Sequence, residues 1–459
     1  MPTILGLLLL PLVLVCWNQP VRLAQLVLVA SVFDAAAVAI FGSTGISPPL
    51  LPALFLVGLL VLRLLVGQVP RRLPQALWAL APGLLLAALA MVGAAALPRL
   101  FAGAFEVWPQ QQPVPEVLRP SFGNVSQTAY LTLNMLLAVA AATLLDCRAE
   151  TLRRLINAYL FSGWLAVALS LWQFASRLTG LPYAEQLLYS NPAWKILDTQ
   201  IFAGVQRVNG PFVEPSALGY FFAGQIAACL SLVAHGHAAF RPRLLLLASA
   251  VVVVLSTSTT GLATMLLSFA LFTLYALGTR DAAAGRRARG LLMAFGLASL
   301  LLLLAVVALV PSAAGALAEI FTGTLSKTES ESFVERSSMD ADSLALLLRT
   351  YGLGAGWGSV RSSSLVPGLA ANGGVLALGC IGWLAWRLMR LLRGAASPGQ
   401  PGALALRAFL PAMLGFLAAA LLSAPFLSAP AFYVMLGTVI SAAMGERTGP
   451  APAARPATA

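Results

Sequence analysis

The polar connections between the long apolar runs of this chain carry most of their basic residues on every second connection. One set of connections holds 19 basic and 4 acidic residues, whereas the alternate set holds 9 basic and 11 acidic residues. Such a bias is typical of a chain that crosses a bilayer many times, with its arginine-rich connections in the cytoplasm. The pattern therefore predicts a polytopic membrane protein and assigns a side to each connection.

The composition favours helices as the membrane-spanning elements. Charged residues make up 10% of the chain and hydrophobic residues 59%, whereas a soluble domain carries about 25% charged residues. The apolar runs are continuous rather than alternating, which predicts spanning helices and not the strands of a barrel. The net charge of +12 is concentrated on connections expected beside anionic headgroups, so it does not indicate nucleic-acid binding.

The side assigned to each connection also decides how ambiguous runs divide into spans. The run 243–278 would be about 50 Å long as one helix, which is too long for a single crossing of the bilayer. Arginines flank this run at both ends, so it must cross an even number of times, and the polar stretch 256–261 is the expected turn. The same reasoning divides two further runs, at 42–49 and at 423–430.

The fold class that follows is an all-α bundle of about 12 or 13 transmembrane helices, the first of which is short. Asp34 falls inside the second expected span, where a carboxylate is costly and is expected to pair within the bundle. The expected spans are 3–17, 23–42, 49–66, 74–96, 127–145, 155–175, 217–234, 243–256, 261–278, 291–311, 367–389, 408–423 and 430–445.

The expected organisation is one transmembrane domain, 1–447, with long connections on the outer side. These outer connections are 98–127, 177–216 and 312–366, and long connections of this kind are often functional. The remaining segment, 448–459, is rich in Pro and Ala and is expected to be a disordered cytoplasmic tail.

Within the third outer connection, the sequence predicts an amphipathic helix followed by a glycine-rich loop. Leu344, Leu347 and Leu348 share one face of a helix over 337–350. Four glycines then alternate over 352–358. We expect the helix to lie on the outer surface and the loop to lead the chain back to the membrane.

Two charged residues before the span that begins near residue 217 are the first candidates for chemistry. Arg207 could reach a phosphate at headgroup depth, because guanidinium binds phosphate in a bidentate manner and stays charged when partly desolvated. Glu214 could be a general base, since a carboxylate at a membrane-buried helix mouth has a raised pKa. The alternative is that Arg207 extends to lipid headgroups and Glu214 only starts a helix.

Other outer-side candidates have simple structural alternatives. Arg336 and Arg349 could bind phosphate, or they could form ion pairs with neighbouring acidic residues of the same helix. Gly354 and Gly356 resemble a phosphate cradle, but without a following Lys-Ser/Thr a bend is the simpler interpretation. Both histidines, His235 and His237, fall on an inner connection. No Cys, His or Asp spacing predicts a metal or other cofactor.

In chain order, three short motifs resemble the O-antigen ligase and Wzy-type polysaccharide polymerase superfamily over about residues 120–445. The first motif opens a span, the second lies inside a long apolar run, and the third belongs to the last outer connection. They are Arg207-x-x-Gly210 with Glu214-Pro-Ser216, then Ser258-Thr-Thr-Gly261, then Arg336 with Tyr351-Gly-Leu-Gly-Ala-Gly356 and Asn372-Gly-Gly374.

The resemblance implies a metal-independent glycosyltransferase of the GT-C type in the bacterial inner membrane, acting on the periplasmic face. It would move a glycan from undecaprenyl diphosphate to an acceptor hydroxyl. The resemblance places Arg207 and Arg336 near the diphosphate, supported by Arg349 or Arg361. Ser258, Thr260 and the glycine-rich loop would contribute to substrate binding, with Glu214 as the base.

Three functions follow as alternatives. Ligases of the family often have an arginine after the hairpin serine, where this chain has Thr259 or Thr260, and a histidine in the large outer loop, which here has none. We therefore expect a polymerase of lipid-linked repeat units for exopolysaccharide or O-antigen biosynthesis, with a chain-length regulator as a candidate partner. A ligase to lipid or protein is the second alternative. A flippase or transporter is the third, although charge within the spans is nearly confined to Asp34.

Overall fold

The computed structural model describes residues 1–109, 114–146, 148–202, 205–309, 331–393, 401–423 and 426–445. Within these ranges the chain is mainly helical, with three small antiparallel hairpins between helices. The helices are α1 (Ile4–Val15), α2 (Pro20–Ala30), α3 (Leu50–Leu65), α4 (Leu73–Leu100), α5 (Phe122–Leu144), α6 (Ala149–Thr179), α7 (Glu185–Leu188), α8 (Pro215–Ala234), α9 (Pro242–Ser256), α10 (Thr259–Gly278), α11 (Ala282–Leu309), α12 (Glu331–Arg349), α13 (Leu365–Arg393), α14 (Pro401–Leu422) and α15 (Pro430–Gly445). The hairpins are β1 (Ala39–Phe41) with β2 (Thr44–Ile46), β3 (Glu106–Val107) with β4 (Glu116–Val117), and β5 (Ile201–Phe202) with β6 (Val205–Gln206).

The described helices confirm an all-α polytopic membrane protein at the level of helix length and apolar character. Seven of them, α4, α5, α6, α8, α10, α13 and α14, are long and apolar enough to cross a membrane. Five shorter apolar helices, α1, α2, α3, α9 and α15, also fall where the sequence predicts spans. The predicted tail, 448–459, lies outside the described residues, as does the part of the third outer connection before Glu331.

The connections between helices gather at two ends of the bundle, as the alternating charge pattern requires. We name as the loop end the surface formed by 31–49, 101–109, 114–121, 180–202, 205–214, 256–259 and helix α12 with the residues 350–364 that follow it. These segments are bonded to one another, for example Arg361 N–H to the Trp108 carbonyl at 2.7 Å and Ala35 N–H to the Pro211 carbonyl at 3.2 Å.

The arginine-rich connections form the opposite, basic end. Here the Arg72 guanidinium donates to the Ser441 hydroxyl at 3.0 Å, and Arg387 stacks on Trp78 at 4.1 Å from the ring centroid. Arg289 donates to a carbonyl at the end of α10. The two sets of connections that sequence reasoning separated therefore lie at two different ends of one bundle.

Helix α8 occupies the centre of the bundle and carries the candidate site at its first turn. It packs against α9, α10, α11 and α14, and its Phe222 and Gln225 are completely buried. The predicted turn between α9 and α10 is confirmed, because α9 ends at Ser256 and α10 begins at Thr259. These two helices contact α8 far more than each other. Gly219 of α8 lies so close to Gly261 that an added Cβ would be 2.8 Å from the Gly261 Cα.

The prediction that 23–42 forms one span is wrong in its second half. Helix α2 ends at Ala30, and Asp34 lies in a non-helical connection that continues into the β1–β2 hairpin. The segment remains apolar after residue 30 because Val32 and residues 35–38 are buried by protein. Apolar composition alone cannot distinguish burial against neighbouring helices from exposure to lipid.

Helix α12 confirms the predicted helix in the third outer connection, and residues outside the predicted apolar face bury it against its neighbours. Met339, Ser343 and Leu346 are buried, each less than 5% exposed. Leu348, by contrast, is 79% exposed and Leu344 is 46% exposed. The apolar face that periodicity identified is therefore directed away from the bundle, and a more mixed face anchors the helix.

Candidate functional site

Arg207 follows the β5–β6 hairpin, and its guanidinium is hydrogen-bonded to the C-terminal end of α9. Its Nε donates to the Ser256 carbonyl at 3.2 Å and to the Thr257 hydroxyl at 3.1 Å, and its Nη1 donates to Gln200 Oε1 at 2.8 Å. The last carbonyls of a helix lack intrahelical donors, so a guanidinium is a suitable partner for them. Arg207 is half-buried in this position.

The guanidinium of Arg207 keeps donors for a ligand. It has five N–H groups, and beyond the bonds above it makes only a long contact of 3.5 Å to the Thr257 carbonyl among the described residues. Burial lowers the pKa of Arg207, Glu214 opposes that shift, and the positive charge of Arg336 adds to it. Arg207 therefore sits within electrostatic reach of both other residues that the sequence singled out as catalytic.

Glu214 precedes the first turn of α8, directly before Pro215. Its carboxylate does not cap the helix backbone and instead accepts a hydrogen bond from the Ser216 hydroxyl. The interpretation that Glu214 merely starts a helix thus explains why it lies directly before α8. It does not explain why its carboxylate is bonded to Ser216 and not to the first backbone N–H groups of the helix. The N-terminus of α10 lies close by, since Gly219 and Gly261 are in contact, so two helix N-termini add positive potential to this region.

Arg336 approaches the same region from α12. It is half-buried and donates to the Ser423 hydroxyl at 3.4 Å, a long bond that leaves most of its donors for other partners. No ion pair of Arg336 or Arg349 occurs among the described residues. The acidic neighbours are used otherwise: Asp340 accepts from Ser363 and Ser364, and Asp342 accepts from a tryptophan side chain. The structure therefore gives no support to the ion-pair alternative.

Asp34 is the fourth charged residue of the cluster and was not expected there. Its carboxylate accepts a hydrogen bond from the Val213 N–H and lies near enough to Glu214 for the two charges to interact. Burial is the main cause that raises the pKa of Asp34 from 3.8 to about 6; the Val213 bond acts against that rise and Glu214 adds to it. We name Asp34, Arg207, Glu214 and Arg336 the charged cluster.

Ser258 and Thr260 lie beside the charged cluster, but their described hydrogen bonds stabilise the first turns of α10. Both are buried. The Ser258 hydroxyl caps α10 by accepting from the Gly261 N–H at 3.2 Å, and the Thr260 carbonyl accepts from the Thr264 hydroxyl. A substrate-binding role for these two residues remains a prediction.

The glycine-rich loop is packed against the helices of the bundle. Gly354 has φ +80°, and a Cβ there would be 2.9 Å from the Ala371 carbonyl oxygen. Its N–H group is bonded to Thr350. Gly356 has φ +99° and lies against Pro98 of α4. These contacts favour the bend interpretation over a phosphate cradle, because the backbone groups and the space around them are already occupied.

The two supporting arginines are exposed and lie apart from the cluster. Arg361 has its backbone fixed by Trp108, and its side chain points into open surroundings, as does that of Arg349. Within the described residues, Arg336 is the only one of these outer arginines that affects the pKa of Arg207. The structure thus brings together Arg207, Glu214 and Arg336 and leaves Arg349 and Arg361 outside.

Several residues of the site carried no sequence signal. Gln200 and Ser423 contribute single acceptors to the two guanidinium groups. Thr257 binds Arg207 while holding a left-handed backbone at φ +46°, a conformation that costs about 1–2 kcal/mol for such a residue. Tyr220 interacts electrostatically with Asp34, and its buried hydroxyl has no described hydrogen-bond partner. The sequence analysis placed Thr257 in the expected turn 256–261, but it gave no signal that any of these four residues belongs to the site.

Among the residues that the structure describes, no group of three or more His, Cys, Asp or Glu could hold a metal ion. His235 lies at the basic end, where its Nδ1 pairs with the Ser231 carbonyl at 2.8 Å. Comparison with protein-family models found no matching family, and comparison with curated proteins found no matching sequence. The chemistry of the charged cluster therefore has to carry the functional argument.

Proposed function

We propose that the protein is a metal-independent membrane glycosyltransferase of the GT-C type that polymerises lipid-linked repeat units. The donor would be an oligosaccharide on undecaprenyl diphosphate, and the product an exopolysaccharide or O-antigen chain. The observation that supports this most strongly is the convergence of Arg207 and Glu214, from the connection before α8, with Arg336, from α12, at one end of an apolar bundle. Neither arginine is neutralised by an ion pair within the described residues.

The chemical demand of the reaction matches this arrangement. As the bond between the sugar and the diphosphate breaks, negative charge develops on the leaving phosphate, and pre-positioned donors stabilise it. Arg207 and Arg336 supply guanidinium groups of the required geometry. A carboxylate beside them accepts the proton of the attacking sugar hydroxyl, and Glu214 is the carboxylate that the sequence predicted for this role.

The proposed orientation places the loop end in the periplasm and the basic end, with the C-terminus, in the cytoplasm of a bacterial inner membrane. It rests on the bias of arginine toward the basic end. A lipid-anchored diphosphate would then lie at the headgroup level of the outer leaflet, beside the charged cluster. A chain-length regulator would contact the same face of the bilayer.

The test is the chain length of the surface polysaccharide in a strain that lacks the gene and carries variants of it. Arg336→Ala should shorten the chains, because loss of one donor to a developing oxyanion reduces rates by about 10²–10³-fold. Arg336→Lys should restore only part of the activity, since lysine keeps the positive charge but lacks the paired N–H donors with which a guanidinium binds phosphate. Arg119→Ala, an exposed arginine at the same end, is the matched control and should leave the chains unchanged.

The strain without the gene separates the alternatives. A polymerase predicts single repeat units on the acceptor, whereas a ligase predicts long chains retained on the lipid carrier. A flippase predicts repeat units that stay accessible from the cytoplasm only. Long chains of normal length in the Arg336→Ala strain, with the variant present in the membrane, would exclude this residue from the mechanism.

A further inference from the structure

The connection that carries Asp34 is held by three hydrogen bonds to two stretches of the chain, Ser190–Asn191 and Pro211. The Ala35 N–H donates to the Pro211 carbonyl, and the Asn191 N–H donates to the Ala35 carbonyl. The Ala37 N–H donates to the Ser190 hydroxyl at 3.1 Å. A side chain on such a segment has little freedom, and a group held rigidly by neighbouring backbone is pre-organised for chemistry.

The two carboxylates of the charged cluster have unequal surroundings. Glu214 has the cationic Arg207 within electrostatic reach and accepts from the Ser216 hydroxyl. Asp34 has the negative charge of Glu214 as its charged neighbour and one backbone donor, the Val213 N–H. Two carboxylates in unequal environments take different roles, and the one without a cation is the better proton acceptor.

Tyr220, in the second turn of α8, carries a buried hydroxyl within electrostatic reach of Asp34. The Tyr220 hydroxyl is buried without a described partner and interacts electrostatically with Asp34, Tyr159 and Tyr433. A buried polar atom without a partner usually indicates a water molecule or ligand atom at that point. A polar atom bound to the Tyr220 hydroxyl would therefore also be within electrostatic reach of Asp34.

We infer that Asp34 is the catalytic residue that accepts the proton of the attacking hydroxyl, with Glu214 beside Arg207 as its positioning partner. This inference rests on the proposed glycosyltransferase function and reassigns the base within it. The acceptor oxygen forms a bond to the anomeric carbon, and the bond from that carbon to the diphosphate oxygen breaks. The leaving diphosphate keeps the electron pair, and the hydroxyl proton moves to Asp34, which later releases it to water.

The first experiment does not depend on glycosyl transfer. A hydrophobic carbodiimide modifies protonated carboxyl groups in apolar surroundings, and the labelled peptide can be quantified by mass spectrometry on the purified full-length chain. Burial raises the pKa of Asp34 to about 6, so labelling of Asp34 should fall by half near that pH. In Glu214→Gln the midpoint should move to lower pH, because a like charge is removed. Absence of labelling at every pH, or an unchanged midpoint in Glu214→Gln, would overturn the inference.

The second experiment measures chain extension in isolated membranes of the host strain as a function of pH. Wild-type rates should rise with pH and level off above about 6, as the base becomes ionised. Asp34→Asn should reduce the plateau by about 10²–10⁴-fold and lose the pH-dependent rise, while Asp34→Glu should recover part of the rate. The matched control is Asp342→Asn, an exposed carboxylate at the loop end.

The outcomes separate failure of the inference from failure of the proposed function. If wild-type membranes extend chains and Asp34→Asn extends them equally well with the same pH profile, the inference is wrong and the function stands. If wild-type membranes never extend chains, the proposed function fails, and the base assignment fails with it even where the carbodiimide result holds.

Discussion

Replacing Asp34 by Asn should stabilise the protein at neutral pH even though it should slow the proposed reaction. Burial raises the pKa of Asp34 from 3.8 to about 6 in the folded protein, so the folded state binds a proton more tightly than the unfolded state. A group of this kind contributes its full stability below about pH 4 and loses it as the pH rises through about 6. Each pH unit in that interval corresponds to about 1.4 kcal/mol, so the ionised carboxylate costs about 3 kcal/mol at pH 7.5.

The asparagine variant removes this cost and keeps an oxygen that can accept the Val213 N–H. We expect its free energy of unfolding at pH 7.5 to exceed that of the wild type by up to about 3 kcal/mol. At pH 4.5 the gain should shrink to about 1 kcal/mol, because most of the wild-type side chain is then protonated. For a chain of this size the gain at pH 7.5 corresponds to a rise in the thermal midpoint on the order of 4 °C.

The assay is thermal unfolding of the detergent-solubilised protein, followed by the fluorescence of its nine tryptophans at both pH values. Asp342→Asn serves as the control, since its carboxylate is exposed and forms one bond to Trp108. A gain of equal size at the two pH values would show that the effect is not electrostatic. A loss of stability at pH 7.5 would refute the reasoning that places a costly buried carboxylate at this position.

Two further predictions concern packing and use unfolding of the same solubilised protein. Gly415→Ala in α14 should destabilise the protein by about 1–3 kcal/mol, because the added Cβ would collide with the Ala223 carbonyl of α8. The control, Gly382→Ala in α13, has open space around the added Cβ and should be neutral or slightly stabilising. Equal effects of the two substitutions would contradict the close approach of α14 and α8. Leu346→Ala in α12 should lower the free energy of unfolding by about 2–5 kcal/mol, whereas Leu348→Ala should change it by no more than about 0.5 kcal/mol. The reason is that Leu346 is 4% exposed and Leu348 is 79% exposed. The reverse order would show that α12 packs by its other face.

Charge and apolar length were sufficient to predict most of the fold. The arginines at both ends of 243–278 required an even number of crossings, and the structure places the turn between Ser256 and Thr259. The same signals failed after Ala30, where the chain stays apolar but ceases to be helical. Hydropathy measures the free-energy cost of exposing a side chain to water. Burial against other protein segments removes that cost just as burial in lipid does.

The candidate site was predictable only where its residues are near in sequence. Arg207 and Glu214 precede the same helix, so a local reading could link them to one mouth of the bundle. Arg336 reaches them through the packing of α12 on α13, and Asp34 reaches them through bonds between two connections. Contacts of that kind depend on the tertiary arrangement, for which a single sequence carries no periodic signal.

The short helices explain why charged residues can gather at this end of the bundle. Helices α2 and α9, with 11 and 15 residues, rise only about 16 Å and 22 Å, less than the roughly 30 Å of a bilayer core. Non-helical backbone is tolerated at such depth only where protein buries it, and the connections after both helices are bonded to neighbouring chain. Asp34 therefore lies on the connection that follows one short helix, and Arg207 is hydrogen-bonded to the connection that follows another. Both residues are half-buried, so the carboxylate holds its proton more tightly and the guanidinium attracts phosphate more strongly than either would when fully solvated.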